Sequence, residues 1–135
     1  MKKKTYPLVY GGKKQRFARS VVVGDLVFVS GSSGRTMETG EVPSDDFKGQ
    51  MIVALDKIKG ALEEAGSSMN NIVKAVIYLK RMEDYQLMRD TEFEYYKKYA
   101  PGLVDEPPAS TVMQVVSLAK PDMLVEIDVT AVKGK

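Results

Sequence analysis

The clearest hydrophobic pattern in the chain runs from residue 47 to residue 65. Apolar residues recur there at intervals of three and four, which places them on one stripe of a helix about 20 residues long: Phe47, Met51, Ala54, Leu55, Ile58, Ala61, Leu62 and Ala65. Ser44, followed by two aspartates, is the predicted N-cap, and Gly66 is expected to end the helix. The intervening polar residues are assigned to the solvent side: Lys48, Gln50, Asp56, Lys57, Lys59, Glu63 and Glu64.

Runs rich in β-branched residues predict strands around this helix. Residues 16–23 and 26–30 are separated by Gly24-Asp25, a sequence typical of a tight hairpin turn. Residues 72–79 are almost entirely apolar, and residues 110–118 form a further run. The last predicted strand, residues 123–132, alternates between an apolar face and a face that carries Leu124, Glu126, Asp128 and Thr130.

A second helix is predicted over about 83–99, and residues 31–43 are predicted to form a loop. The resulting order is β-β-α-β-α-β-β, with room for a short strand near residues 5–10. This order predicts an α+β fold with two helices packed on one face of a sheet. We expect one domain over residues 1–135, of which residues 1–14 are a basic N-terminal arm.

The composition excludes several kinds of chemistry. The chain has 135 residues and contains no His, Cys or Trp. It therefore has no Ser-His-Asp triad, thiol nucleophile, disulfide or zinc site of the usual nitrogen and sulfur type. No run approaches the ~20 apolar residues of a membrane helix, and no convincing signal peptide precedes the first strand, so a cytoplasmic protein is expected.

Charge is distributed unevenly along the chain. Residues 1–20 carry seven basic side chains and no acid, whereas the remaining residues have a net charge of −5. A basic arm on an acidic body is compatible with nucleic-acid binding, but its aromatic residues match no RNA-stacking motif. A solvated terminus is the preferred interpretation, and nucleic acid is not expected as the main partner.

Two polar features near the first hairpin are candidates for ligand binding. Ser30-Gly31 follows a strand, so its backbone amides could hold an anion, although a plain loop has the same composition. Phe17 and Arg19 lie two residues apart in an extended segment and are expected to project to one face. An arginine beside an aromatic ring suits a carboxylate, and a surface arginine is the simpler alternative.

Two further features lie in the C-terminal third. Glu126 and Asp128 share one strand face, where crowding and burial could raise a carboxyl pKa and let it activate water. The alternative interpretation is that this polar face is simply exposed to solvent, since such a strand shows the same alternation. Ser110 and Thr111 follow two prolines; without His to activate them, they are more suited to hydrogen bonding than to nucleophilic attack.

Six segments of the chain resemble the RidA/YjgF family of reactive-intermediate deaminases over about residues 15–132. They occur in the same order and with the same spacing as in that family. They are VGDLVFVSG (23–31), TGEVP (39–43), LDKIKGALEEAG (55–66), NIVKAVIYLKRMEDY (71–85), PPAST (107–111) and KPDMLVEIDVTAV (120–132). The resemblance implies a chorismate-mutase-like fold and a homotrimer whose sheets line a central barrel. It also implies small-molecule clefts between subunits, in which enamines and imines are hydrolysed to a ketoacid and ammonia without metal or cofactor.

The resemblance assigns roles to particular residues. Glu126 matches the acid that orients water, Ser30-Gly31 matches a loop lining the cleft, and Phe17 replaces a cleft tyrosine. Ser110 stands where deaminating members have an arginine that binds the substrate carboxylate, and Thr111 follows it in the same segment. The resemblance thus implies a divergent member of the family that lacks the cleft arginine.

Arg19 is the first candidate to supply the missing positive charge, and Arg35 in the 31–43 loop is the second. Three functional hypotheses follow: a deaminase-type hydrolase with altered or reduced activity, a non-catalytic trimer that binds metabolites, and, well behind these, an endoribonuclease or RNA-binding protein.

Overall fold

Six strands form one mixed sheet in the order β1-β2-β3-β6-β4-β5. The computed structural model describes residues 2–134; Met1 and Lys135, which the predicted domain includes, lie outside the described residues. Only the β4–β5 pair is parallel among the strand pairs of the described residues. The strands are β1 (Lys3–Tyr10), β2 (Lys13–Val23), β3 (Leu26–Ser33), β4 (Ile72–Leu79), β5 (Ala109–Gln114) and β6 (Val125–Val132).

Helices cover one face of this sheet, as predicted. They are α1 (Phe47–Glu64), α2 (Tyr85–Tyr99) and the short α3 (Gly102–Asp105). The predicted cap of α1 is wrong by two residues: Asp46, not Ser44, accepts the Gly49 N–H at 2.9 Å. Ser44 instead accepts the backbone N–H of Asp46 at 3.1 Å, so it orders the turn that leads into the helix.

The apolar stripe of α1 is buried against the sheet, as its periodicity predicts. Two residues assigned to the solvent side are buried as well, Gln50 completely and Lys57 with 8 % exposure. Gln50 donates to the carbonyls of Ser44 and Asp122 and accepts the Leu124 N–H, so it joins α1 to the segment before β6. The helical period alone gave the wrong side for both residues, because neighbouring segments cover the flank of the stripe.

Several strand boundaries differ from the prediction. β1 occupies Lys3–Tyr10, and β2 begins at Lys13 because residues 11–12 turn the chain with two glycines at positive φ. β3 continues to Ser33, beyond the predicted loop start at residue 31. β5 ends at Gln114 instead of continuing to residue 118, and β6 begins at Val125.

The sheet face opposite the helices is only partly covered in the single chain. The predicted alternation of β6 is confirmed, with Val125, Ile127 and Val129 buried and the intervening residues half-buried. Apolar side chains on this free face are exposed, among them Leu26, Phe28 and Met113. No helix of residues 2–134 is long and apolar enough to cross a membrane.

Candidate functional site

A bulge in β3 creates the cleft that holds most of the predicted site residues. Val29 pairs with Val129, whereas Ser32 pairs with Ile127, so β3 has one extra residue at Ser30-Gly31. Beside this bulge lies a cleft of about 240 Å³. It is lined by Tyr10, Phe17, Ser30, Gly31, Ser33, Arg35, Ala119, Met123 and Glu126. The volume corresponds to roughly eight water molecules, a suitable size for a small metabolite.

Glu126 lies against the backbone of this bulge. A side-chain carbon added at Gly31 would lie 2.0 Å from a carboxylate oxygen of Glu126, so only glycine leaves room for the carboxylate there. Burial raises the pKa of Glu126, and the neighbouring Asp128 raises it further, while the charges of Lys57 and Arg35 act in the opposite direction. A half-buried carboxylate with a raised pKa is suited to accept a proton from water.

Asp128, the other predicted carboxylate, has a different environment. It lies on the same face of β6 and accepts a hydrogen bond from the Tyr78 hydroxyl at 2.9 Å. This hydrogen bond raises the pKa of Tyr78, which therefore remains protonated. Asp128 is thus held by β4, and it is absent from the residues that line the cleft.

Arg35 lines the cleft together with Glu126. Its Nε donates to the Gly40 carbonyl at 2.8 Å, and its guanidinium carbon lies 4.0 Å from the centre of the Tyr10 ring. Gly40 has a φ of +77°, and a side-chain carbon there would lie 3.3 Å from Tyr10 and 3.4 Å from the Arg35 Nη2 atom. Glycine at position 40 therefore lets the loop close tightly over both side chains.

Lys57 approaches the same tyrosine from α1. Its Nζ donates to the Tyr10 hydroxyl at 2.9 Å, deep between the helix and the β1–β2 hairpin. Burial lowers the pKa of Lys57 to about 8, and the Arg35 charge lowers it as well. Burial in turn raises the pKa of Tyr10, so its hydroxyl keeps its proton. Tyr10 thus separates a buried ammonium from the cleft.

Phe17 and Arg19 do not line the same cleft. Phe17 lines the cleft with Glu126 and is half exposed. Arg19 instead reaches α1, where it donates to Glu64 at 3.4 Å and to the Lys57 carbonyl at 3.3 Å. Its side chain borders a narrow gap behind Ser30-Gly31, with space for about one water molecule.

Ser110 and Thr111 lie on β5, at the opposite edge of the sheet from β1. β5 is two strand positions from β6, or roughly 10 Å, so these residues are remote from Glu126 within one chain. Ser110 accepts a hydrogen bond from Arg89 of α2 at 3.2 Å, and Thr111 accepts one from Lys74 at 2.9 Å. The predicted site residues therefore fall into two separate groups.

Comparison with known proteins establishes the family. The sequence profile of the family described as Endoribonuclease L-PSP matches residues 12–133. The chain belongs to the RidA/YjgF family. A RutC family protein of Pyrococcus abyssi is 34% identical over 117 residues, which cover 87% of this chain and 86% of that protein. A 2-iminobutanoate/2-iminopropanoate deaminase of Escherichia coli is 28% identical over 117 residues, 87% of each chain.

Solved structures confirm the fold of this RidA/YjgF family member. A YjgF family protein from Neisseria meningitidis superimposes with a TM-score of 0.78 at 28% identity, covering 100% of this chain and 98% of that one. Escherichia coli TdcF with bound serine gives a TM-score of 0.81 at 24% identity, covering 97% and 100%. The chorismate-mutase-like fold expected from the sequence is thereby confirmed.

Sequence reasoning missed Tyr10, which lines the cleft, and Lys57, which donates to the Tyr10 hydroxyl from α1. Tyr10 is one of several aromatic residues in a basic segment, and Lys57 is one of several lysines along α1. No local signal distinguishes either residue, because their hydrogen bond joins positions 47 residues apart in the sequence. Residues 2–134 bring together no group of three or more acidic, His or Cys side chains that could hold a metal.

Proposed function

We propose that this family member is a cofactor-independent hydrolase of small imines and enamines, which it converts to a ketoacid and ammonia. The observation that carries this proposal is the Glu126 carboxylate, half-buried against Gly31 in a small cleft that also contains Arg35. The naming of the Escherichia coli relative as a 2-iminobutanoate/2-iminopropanoate deaminase supports it.

The chemistry needs one activated water molecule. Water adds its oxygen to the carbon of the protonated imine while Glu126 accepts one proton of that water, which gives a neutral tetrahedral carbinolamine. Glu126 returns this proton to the nitrogen, the carbon–nitrogen bond breaks and ammonia leaves. The hydroxyl proton of the carbinolamine passes to Glu126 and then to solvent as the carbon becomes a ketone. An enamine first takes a proton on its β-carbon to become the imine. The imine carbon is already electrophilic, so orientation and proton transfer suffice.

We further propose that the working unit is a homotrimer in which β5 of one copy completes the cleft of another. Ser110 and Thr111 are exposed on an edge strand, while Glu126 lies two strands away, so one chain alone cannot bring the two groups together. The exposed apolar residues of the free sheet face support association, because an open sheet face with this composition is typical of an interface.

Ammonia release from freshly generated 2-aminoacrylate tests the reaction. Glu126→Gln removes the proton acceptor at nearly constant volume and should lower the rate by about 10²- to 10⁴-fold. Asp128→Asn is the matched control, because it neutralises the neighbouring carboxylate and keeps an acceptor for Tyr78. Equal losses in both variants, or no turnover by the unaltered protein, would contradict the hydrolase and leave a metabolite-binding oligomer as the better interpretation.

The oligomer is tested by sedimentation at micromolar concentration. A single chain has a mass of 15.0 kDa, so a trimer sediments at about three times this mass. Phe28→Asp places a charge on the free sheet face and should dissociate the trimer, since an uncompensated buried charge is strongly unfavourable. Phe93→Asp, which alters a similarly exposed phenylalanine on α2, should not dissociate it. A monomeric unaltered protein would refute the assembly.

RNA binding is a second candidate, favoured by the basic β1–β2 hairpin. The exposed side chains of Lys3, Lys4, Lys13 and Lys14 lie on this hairpin. Affinity for single-stranded RNA should then fall steeply with salt and depend on these lysines. Binding that is unchanged when all four are replaced by Gln would eliminate this candidate.

A further inference from the structure

We infer that Arg35 is the side chain that binds the carboxylate of the substrate. This inference rests on the proposed function and deepens it, since it states how the cleft selects small 2-imino acids over neutral imines. It depends on three features of the described residues: the position of Arg35, the environment of Arg19 and the charges that line the cleft.

The Arg35 guanidinium is positioned before any ligand arrives. Its Nε is fixed by the Gly40 carbonyl, and one face of the guanidinium lies over the Tyr10 ring. The Tyr10 ring is held in turn by the hydrogen bond from Lys57 to its hydroxyl. Among residues 2–134, no carboxylate forms a salt bridge with Arg35 within 4.0 Å. Its Nη atoms thus retain the planar pair of donors that a carboxylate accepts.

Arg19 lacks this freedom. Its two Nη atoms donate to Glu64 and to the backbone of α1, and it packs against Gly60 of the same helix. The charge of Arg19 therefore stabilises the contact between β2 and α1. It does not line the cleft that contains Glu126.

The lining of the cleft contains two charged side chains of opposite sign, Arg35 and Glu126. A small molecule with a carboxylate at one end and an imine carbon at the other matches this arrangement. Its carboxylate pairs with Arg35, and the imine carbon then lies toward the water that Glu126 activates. A neutral imine of the same size would leave the Arg35 charge without a partner on binding, and it should bind weakly.

Binding of pyruvate, the ketoacid formed from 2-aminoacrylate, tests the inference without depending on turnover. Affinity is measured by titration with chemical-shift changes, using pyruvamide as the neutral analogue. Arg35→Met should weaken pyruvate binding by about 30-fold or more. It should not weaken pyruvamide binding, because the neutral analogue does not pair with the Arg35 charge. Arg35→Lys should retain part of the pyruvate affinity, because it keeps the charge but loses the paired donors.

Two arginines of β2 serve as comparisons. Arg16→Met, at an exposed position, is the matched control and should bind pyruvate as the unaltered protein does. Arg19→Met tests the competing candidate and should also retain pyruvate binding. Circular dichroism and the sedimentation mass of each variant establish that it remains folded and assembled.

The outcomes separate this inference from the proposed reaction. Pyruvate binding that is within about twofold of the unaltered protein in Arg35→Met would overturn the inference, and so would an equal loss in Arg19→Met. Absence of pyruvate binding by the unaltered protein would overturn it as well. Arg35-dependent binding without ammonia release would instead refute the hydrolase and leave Arg35 as the anion-binding residue.

Discussion

Lys57 allows a quantitative test of the buried contact between α1 and Tyr10 of the β1–β2 hairpin. The residue is 8 % exposed, and its ammonium donates to the Tyr10 hydroxyl at 2.9 Å. Burial is the main cause that lowers its pKa to about 8, and the charges of Arg35 and Arg19 contribute in the same direction. The charge of Glu126 partly offsets them. The folded protein therefore disfavours the charged form of a residue that the unfolded chain leaves fully hydrated.

The sign and size of the effect follow from proton linkage. Between pH 8 and the ordinary lysine value of 10.5, the unfolded state binds more protons than the folded state, so the free energy of unfolding rises with pH. Below pH 8 the ammonium is charged in both states, and the full penalty of about 3 kcal/mol applies. From pH 7 to pH 10, stability should rise by about 2 kcal/mol from this residue.

The test compares the unaltered protein with Lys57→Met by urea unfolding at pH 7, 8, 9 and 10. Methionine fills most of the lysine volume without a charge and leaves the Tyr10 hydroxyl without its donor, a loss of about 1 kcal/mol. The variant should therefore exceed the unaltered protein in stability by about 2 kcal/mol at pH 7, and the two should be about equally stable at pH 10. Protein concentration must be held constant because the stability of an oligomer depends on it.

Lys59→Met is the matched control on the same helix, since Lys59 pairs with Glu63 at the solvent side. The pH dependence of its stability should parallel that of the unaltered protein. A difference between Lys57→Met and the unaltered protein that stays constant within about 0.5 kcal/mol from pH 7 to pH 10 would refute the reasoning. It would mean that the ammonium is hydrated or paired with a carboxylate.

Three further predictions concern the cleft. Gly31→Ala should lower ammonia release at least tenfold while the protein stays folded, because the added carbon would displace the Glu126 carboxylate. Full activity in steady-state assays would show that catalysis does not need the carboxylate against residue 31. The acid limb of the pH–rate profile should fall above the ordinary glutamate range, since burial raises the pKa of Glu126, and a limb at or below pH 4.5 would contradict this. Ser110→Arg should change the pyruvate affinity less than about threefold if Arg35 already binds the carboxylate. A large gain of affinity in titrations would instead show that the carboxylate-binding group is missing at position 110.

Local sequence patterns were sufficient for the main elements of the fold. The stripe of α1, the Gly24-Asp25 turn and the alternation of β6 each depend on neighbouring residues, and each is confirmed. The two-residue error at the α1 cap arose because Ser44 and Asp46 both belong to residue types that cap helices. The choice between them depends on the path by which the chain enters the helix.

The site was predictable only in part. Glu126, Ser30, Gly31 and Phe17 were identified from motifs, and the structure places them around one cleft. The bulge that brings Ser30-Gly31 against Glu126 was not predictable, because it depends on the register between β3 and β6. Ser110 and Thr111 lie apart from this group in the single chain, so their relation to it depends on assembly.

The amino-acid sequence by itself determined the family, the order of the main helices and strands and the exclusion of histidine and thiol chemistry. The tertiary structure decided which charged residues are buried and which of the arginines is available. Lys57 and Lys59 are both lysines on one helix, but only Lys57 lies beneath the β1–β2 hairpin. Burial and charge pairing arise from segments distant in the chain, so no local pattern of residues can specify them.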